Sequence, residues 1–332
     1  MSEIEPLTVV QAAAVEGSSE LEWLVEGLWV AEGVGIVGGN PKAGKTWLAL
    51  DLALSVASGT PALGVYAIPR AGPVLLFAAE DPPATVRARL EGIAVSRGLT
   101  LKSLPLHVIL ASSLRLDQLR DQARLAEAVE RFRPRLLVLD PFVRLHRINE
   151  NSAQEVSGVL AYLRDLQRRC HVAVLVVHHA RKAGAGTAQA GLSLRGSGDF
   201  YAWGDELLHM RRRKTALELV VEHRSAASPE PVPLELLAGE GEPVRLAVVS
   251  AADSTEPGAA LAESVVEVLK GADGPLTQEA LRVQLRVRWT RLAEPLRALE
   301  REGRVEKTAG GYALRVAEGQ EEIAWRNGVE LC

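Results

Sequence analysis

Cysteine is nearly absent from this chain: Cys170 and Cys332 are the only two in 332 residues. They stand far apart and in no CxxC spacing, which excludes a disulfide framework and a zinc module built on paired thiols. Aromatic residues make up only 4% of the chain, and that scarcity selects no function. No apolar run approaches the roughly 18 residues a membrane span needs, so no membrane partner is expected. A basic excess is missing too. The formal net charge is -4, whereas a small dedicated DNA-binding protein carries a strong positive balance, so any DNA contact must be local. The first residues, MSEIEPLTVVQAAAVEG, hold acids where a secretory leader would hold lysines, and a cytoplasmic location is the expectation.

What is present is length enough for one large and one small domain, with 47% hydrophobic and 24% charged residues, ordinary for a globular protein. Residues 1–30 read as a lead-in whose Trp23, Leu24, Leu28 and Trp29 pack on the main domain. Over residues 31–250, short β-branched runs alternate with longer amphipathic stretches, the pattern of parallel strands joined by crossover helices. Strands are expected at 34–37, 74–78, 106–110, 136–139 and 172–177, and helices at 45–58, 85–97, 118–131 and 153–169. Later strands are expected at 206–210 and 217–223, with a further pair near 232–237 and 244–249. The fold class is therefore α/β, a mainly parallel twisted sheet. Between the strands, RKAGAGTAQAGLSLRGSG is poor in large apolar groups and reads as a loop. Residues 251–260, rich in Pro, Gly, Ser and acids, read as a linker.

The most specific local signal is GGNPKAGKT. It matches GxxxxGK[ST] directly after an apolar strand and directly before a helix, the context a phosphate-binding loop requires. Residues Gly39, Asn40, Pro41, Lys42, Ala43, Gly44, Lys45 and Thr46 would wrap ATP, with backbone amides and the helix N-terminus facing the phosphates. Lys45 would reach the β and γ phosphates and Thr46 would ligate Mg²⁺. In LLVLD, Asp140 closes a buried strand where the acid that holds the magnesium shell belongs, although an Asp before Pro141 also serves as a turn cap. Glu80, in VLLFAAEDPP, stands at a strand's carboxyl end and is the candidate base that orients water. Spacing does not separate it from Asp81. His178 and His179 end the strand VAVLVV on the same edge, and a strand's alternation lets only one of them face the site.

The order GGNPKAGKT, FAAEDPP, LLVLDPFVRLHRINENS, VLVVHHARK and LRGSGD resembles the RepA-type hexameric replicative helicases of plasmids and the wider RecA-like family that contains them. The resemblance covers about residues 20–240. It implies a six-membered ring with ATP at subunit interfaces, Glu80 as base, Asp140 as the Walker B acid, and His178 or His179 as γ-phosphate sensor. It also implies channel loops at residues 144–152 and 181–197, where Arg144, His146, Arg147, Arg181, Lys182 and Arg195 offer positive charge to DNA phosphates. Relatives carry a Lys-x-Arg pattern for an arginine supplied in trans. Here the nearest match is Glu222-His223-Arg224, without the lysine, so Arg224 is the first choice and Arg211, Arg212 and Arg213 stand behind it.

Residues 261–316 read as three helices and a hairpin, a winged-helix domain, followed by an acidic tail at 317–332. The third helix is expected over 292–302 with Pro295 in its first turn, where a proline costs no hydrogen bond. Arg288 and Arg291, with other nearby arginines, suit contacts to duplex DNA phosphates. The function these features suggest is an ATP-dependent DNA translocase or helicase of the replication type. The alternative is an ATP-switched DNA-binding regulator or loader.

Overall fold

A computed structural model describes residues 9–14, 21–150, 152–179, 197–213, 216–237, 244–249, 257–272, 274–285, 289–308 and 310–315. The chain divides into two compact units, Met1–Val249 and Ser250–Cys332.

In the first unit, β1 (Trp23–Val25) and β2 (Trp29–Val30) form a short antiparallel hairpin. Leu24, Val25, Leu28 and Trp29 are buried in the main core, so this hairpin packs as part of the unit. Next come β3 (Val34–Gly39), α1 (Lys45–Ser58), β4 (Val74–Ala78), α2 (Pro83–Ser96), β5 (Leu106–Val108), α3 (Leu119–Phe132), β6 (Leu136–Asp140), α4 (Ala153–Cys170), β7 (Ala173–His179) and α5 (Ser197–Trp203). Four strands complete the unit: β8 (Glu206–Arg213), β9 (Ala216–His223), β10 (Val232–Leu237) and β11 (Arg245–Val248). Among the described residues they make a nine-stranded sheet in the order β11-β10-β9-β8-β3-β7-β6-β4-β5. From β8 to β5 every pairing is parallel, and β8 to β11 pair antiparallel.

The parallel strands are covered on both faces and therefore read as continuous apolar runs. Alternation assigns their side chains to two cores. Val37, Leu76, Val138 and Leu175 pack with α1 and α2 on one face. Ile36, Leu75, Leu139 and Val176 pack with α3 and α4 on the other.

The mainly parallel α/β architecture expected from the pattern is the one observed, with shifts at element ends. The strand expected over 106–110 stops at Val108, because the chain leaves β4 after three pairs and Leu110 is 76% exposed. Helix α2 starts at Pro83 rather than 85, since a proline at the first helical position gives up no amide bond. Strand β7 extends through both histidines, which pair in register with Gly38 and Gly39 of β3.

The second unit holds α6 (Pro257–Lys270), α7 (Gln278–Gln284) and α8 (Trp289–Arg301), then the antiparallel hairpin β12 (Val305–Thr308) and β13 (Gly311–Leu314). Val265, Leu281, Leu292, Leu296, Leu299 and Val305 form its own core. Helix α6 begins inside the stretch expected to be linker. Pro295 corrects the expectation for the third helix: α8 starts at Trp289, so the proline lies in its second turn. There it denies the Arg291 carbonyl its amide donor, a cost of about 3 kcal/mol in an isolated helix. Pro295 and Leu296 are buried, and this packing offsets the lost bond.

Candidate active site

The chain turns at the end of β3 because glycine allows it. Gly39 has φ +147°, and a Cβ there would lie 2.2 Å from the Met210 carbonyl oxygen in neighbouring β8. Gly44, at φ 89°, precedes α1 in the left-handed region and frees the first helical amides to point into the loop. Lys45 is buried and its Nζ donates to the carbonyls of Gly39 (3.0 Å) and Asn40 (2.9 Å). The ammonium thus closes its own loop. Burial lowers its pKa, opposed by Asp140 and then Glu80.

Asp140 ends β6 on the face covered by α1 and accepts a hydrogen bond from Thr46. Burial pushes its carboxyl up to about 6, with Asp81 and Glu80 adding to the rise and Thr46 and Lys45 opposing it. A desolvated carboxylate beside a hydroxyl and an ammonium fits a magnesium-bound triphosphate. The cation would offset the burial cost that now raises the acid's pKa. Thr46 and Asp140 are the residues to hold that ion's shell, while Lys45 and the loop amides are suited to the phosphate oxygens.

Strand order brings the remaining acids and histidines here. Because β6 lies between β4 and β7, the residue after β4 meets the ends of both. Glu80 Oε1 accepts from Arg144 Nε at 3.1 Å, and Glu80 Oε2 stands 4.0 Å from His179 Nε2. Its neighbour Asp81 is turned elsewhere, to Arg89 at 2.5 Å, and the Arg89 guanidinium lies 5.4 Å from the Trp47 ring centroid. The two histidines separate as alternation requires. His179 is partly exposed on the site's face. His178, 1% exposed, packs against Phe200 and Phe142, with ring centroids at 4.4 and 5.7 Å.

Other expected site residues lie differently. His146 does not face outward with Arg144 and Arg147, which corrects its expected place on a DNA-facing surface. It is buried against Phe142 at 4.4 Å and its Nε2 is 3.6 Å from Glu150, while burial lowers its pKa. Arg147 is exposed. Arg211 pairs with Glu218 at 2.5 Å, Arg212 is exposed, and Arg213 ends β8. Arg224 comes after β9 at the far end of the sheet from Gly39. Gly39 pairs with Met210, whereas His223 pairs with Glu206 beside Gly35, some 13 Å away along the strand at about 3.3 Å per residue. Its guanidinium binds Asp205 at 3.2 Å and donates to the Ala202 carbonyl. Arg181, Lys182, Arg195 and Arg288 lie outside the described residues, as does the side chain of Arg291 in α8.

A family described as an AAA domain matches residues 2–185, more than half of the chain. The chain belongs to the AAA domain family. This match spans the phosphate loop, Glu80, Asp140 and both histidines. Among solved structures, this family member is similar to a DnaB-like replicative helicase studied for its interactions with primase. Identity is 14%, coverage is 65% of this chain and 57% of that one, and the TM-score is 0.51. The RadB recombinase matches at 17% identity over 62% of this chain and 88% of its own, with a TM-score of 0.46. A KaiC-like protein from the hyperthermophilic archaeon Pyrococcus horikoshii matches at 15% over 68% and 94%, with a TM-score of 0.47. The architecture shared with the helicase is the RecA-like P-loop core. The present chain spans little more than half of that helicase chain.

Sequence reasoning missed three contacts: Arg144 on Glu80, Arg89 on Asp81, and the aromatic bed under His178. Arg144 stands four residues past Asp140, close enough to be a candidate, but nothing local sets the direction of the turn between them.

Proposed function

We propose that this protein is an ATP-dependent DNA translocase or helicase of the replication type, working as a homohexameric ring. One observation carries the reading. Lys45, Thr46, Asp140, Glu80 and His179, from four separate strand ends, converge on one sheet edge at the head of α1. That is the set phosphoanhydride hydrolysis needs: an ammonium and amides for charge, an acid and a hydroxyl for magnesium, and a base for water.

In this reading Lys45 exchanges the Gly39 and Asn40 carbonyls for phosphate oxygens. Thr46 and Asp140 would hold magnesium, which would supply charge neutralisation there. Glu80 accepts a hydrogen bond from the attacking water and aligns it, while His179 faces the γ phosphate and passes its loss along β7 to residues 181–197. Arg224 is too far from its own loop to serve it, as a residue acting in trans must be. With Arg144, Arg147, Arg181, Lys182 and Arg195 repeated six times, weakly basic loops make one positive channel for single-stranded DNA. The second unit, three helices and a hairpin, is read as a winged helix that contacts duplex DNA through Arg288 and Arg291.

That unit's independent core also supports a second reading, an ATP-switched DNA-binding regulator or loader. ATP-dependent strand displacement that disappears in Lys45→Ala supports the motor. Native mass measurement with an ATP analogue and single-stranded DNA tests the ring, and a monomer under all conditions refutes it. Site-specific duplex binding without strand displacement favours the regulator.

A further inference from the structure

We propose that the cleft at the carboxyl ends of β4 and β5 is a second ligand site. It takes a nucleotide unit, with the ring against an apolar wall and the phosphate on Arg144, and its occupancy releases Glu80. The cavity measures about 520 Å³, and none of its lining residues belongs to the phosphate loop. That size suits a nucleotide-sized ligand. Val108, Ile109, Leu110 and Ala111, all at least partly exposed, supply apolar surface. Ser112, Ser113, Arg115 and Arg144 supply donors. Pro83 also lines it, so the 14-residue α2 presents its positive end to the same space.

The two arginines are linked. Arg115 Nη1 donates to the carbonyls of Arg144 (2.7 Å) and His146 (3.0 Å), tying the turn that carries Arg144 to the cleft. Its Nε is buried and has no partner among the described residues. Asp81 is the like charge in the lining, and Arg89 compensates it at 2.5 Å. The combination of two guanidiniums, hydroxyls and apolar surface is the chemistry of a nucleoside phosphate, whether free or as one residue of a single strand.

Arg144 belongs to both sites. It lines the cleft while its Nε holds Glu80 at 3.1 Å, a pair exposed at 58% and 43% and therefore weakly held. A phosphate competes for that guanidinium with two oxygens and more charge. Glu80, released, turns to water at the phosphate loop. The release step rests on the reading of Glu80 as base, and the binding step does not.

The test uses the full chain saturated with a non-hydrolysable ATP analogue, with calorimetric titration of dCMP and of a short oligothymidylate. Ala111→Trp fills the cleft, and Ser112→Glu, at an exposed position, repels phosphate by its charge. Wild type is expected to bind one or both ligands, and each variant to weaken binding about tenfold, the scale of one lost charge-assisted contact. Binding of dCMP alone assigns a free nucleotide, and binding of the oligomer alone assigns a strand. In hydrolysis assays Arg144→Gln is expected to exceed wild type without ligand and to bring the ratio of stimulated to unstimulated rate to about one. Absence of binding, or binding unmoved by both cleft variants, overturns the site. Ala111→Trp changing the oligomeric mass with binding unmoved assigns the cleft to a protein partner and overturns it equally. Arg144→Gln slowed like Glu80→Gln overturns the release. A wild type that hydrolyses no ATP defeats the ATP-driven motor, while the titrations still decide the cleft.

Discussion

Glu206 offers a quantitative test of the fold beneath the site. It opens β8 beside Gly35, is 1% exposed, and uses Oε1 to accept from the Val30 amide at 3.2 Å. Its Oε2 is buried with no partner among the described residues, and a Cβ on Gly33 would lie 2.7 Å from that oxygen. Burial pushes its pKa from 4.5 up to about 8, with Asp205 adding to the rise. The Val30 amide, Arg164 and Arg224 oppose it. The folded state therefore keeps a proton that the unfolded chain releases. Stability from this group is complete below about 4.5 and is lost as pH rises through about 8, at up to 1.4 kcal/mol per unit. The full shift corresponds to a ceiling of about 5 kcal/mol beyond pH 8, and about 3 at pH 7. Glu206→Gln keeps the acceptor for Val30 and a neutral donor where the protonated acid has one. It should be nearly neutral at pH 5 and stabilising by about 2 kcal/mol or more at pH 8. Urea unfolding followed by tryptophan fluorescence from pH 5 to 8 reads this directly, since Trp29 is buried and its Nε1 donates to the Gly33 carbonyl. Parallel midpoint curves for the two proteins would refute the reasoning.

Other outcomes rest on the same geometry. Gly39→Ala forces a Cβ onto the Met210 carbonyl at a φ that side chains rarely adopt, so it should abolish nucleotide binding and lower the melting temperature, read by fluorescence titration and calorimetry. Arg97→Ala strips the buried Asp51 of its ion-pair partner across α1 and α2. It should cost about 3 kcal/mol in urea unfolding, because an uncompensated buried charge costs more than the pair contributed. His179→Ala should lower the hydrolysis rate about tenfold or more with little change in stability. His178→Leu should do the reverse, and equal effects of the two on steady-state rate would contradict their separation.

Much of this protein was legible in the sequence for local reasons. The phosphate loop needs glycines at fixed offsets between a strand and a helix, so GGNPKAGKT located itself. The alternation of apolar runs with amphipathic helices announced a parallel sheet, and LLVLD placed an acid at a buried strand's end. The choice of Glu80 over Asp81 as the neighbour of the histidine strand was not local. It depends on β6 lying between β4 and β7 and on Arg89 drawing Asp81 away. Likewise, period-two alternation guaranteed that the paired histidines would part, but only packing decided that Phe142 and Phe200 receive His178 and leave His179 to the site. The burial of His146 and the position of Pro295 were set by core contacts that outweigh charge and helix propensity. Residue spacing along the chain determines which groups share a strand end or a helix face. Which of those groups meet is decided by contacts between elements far apart in sequence, and these exist only once the sheet has formed.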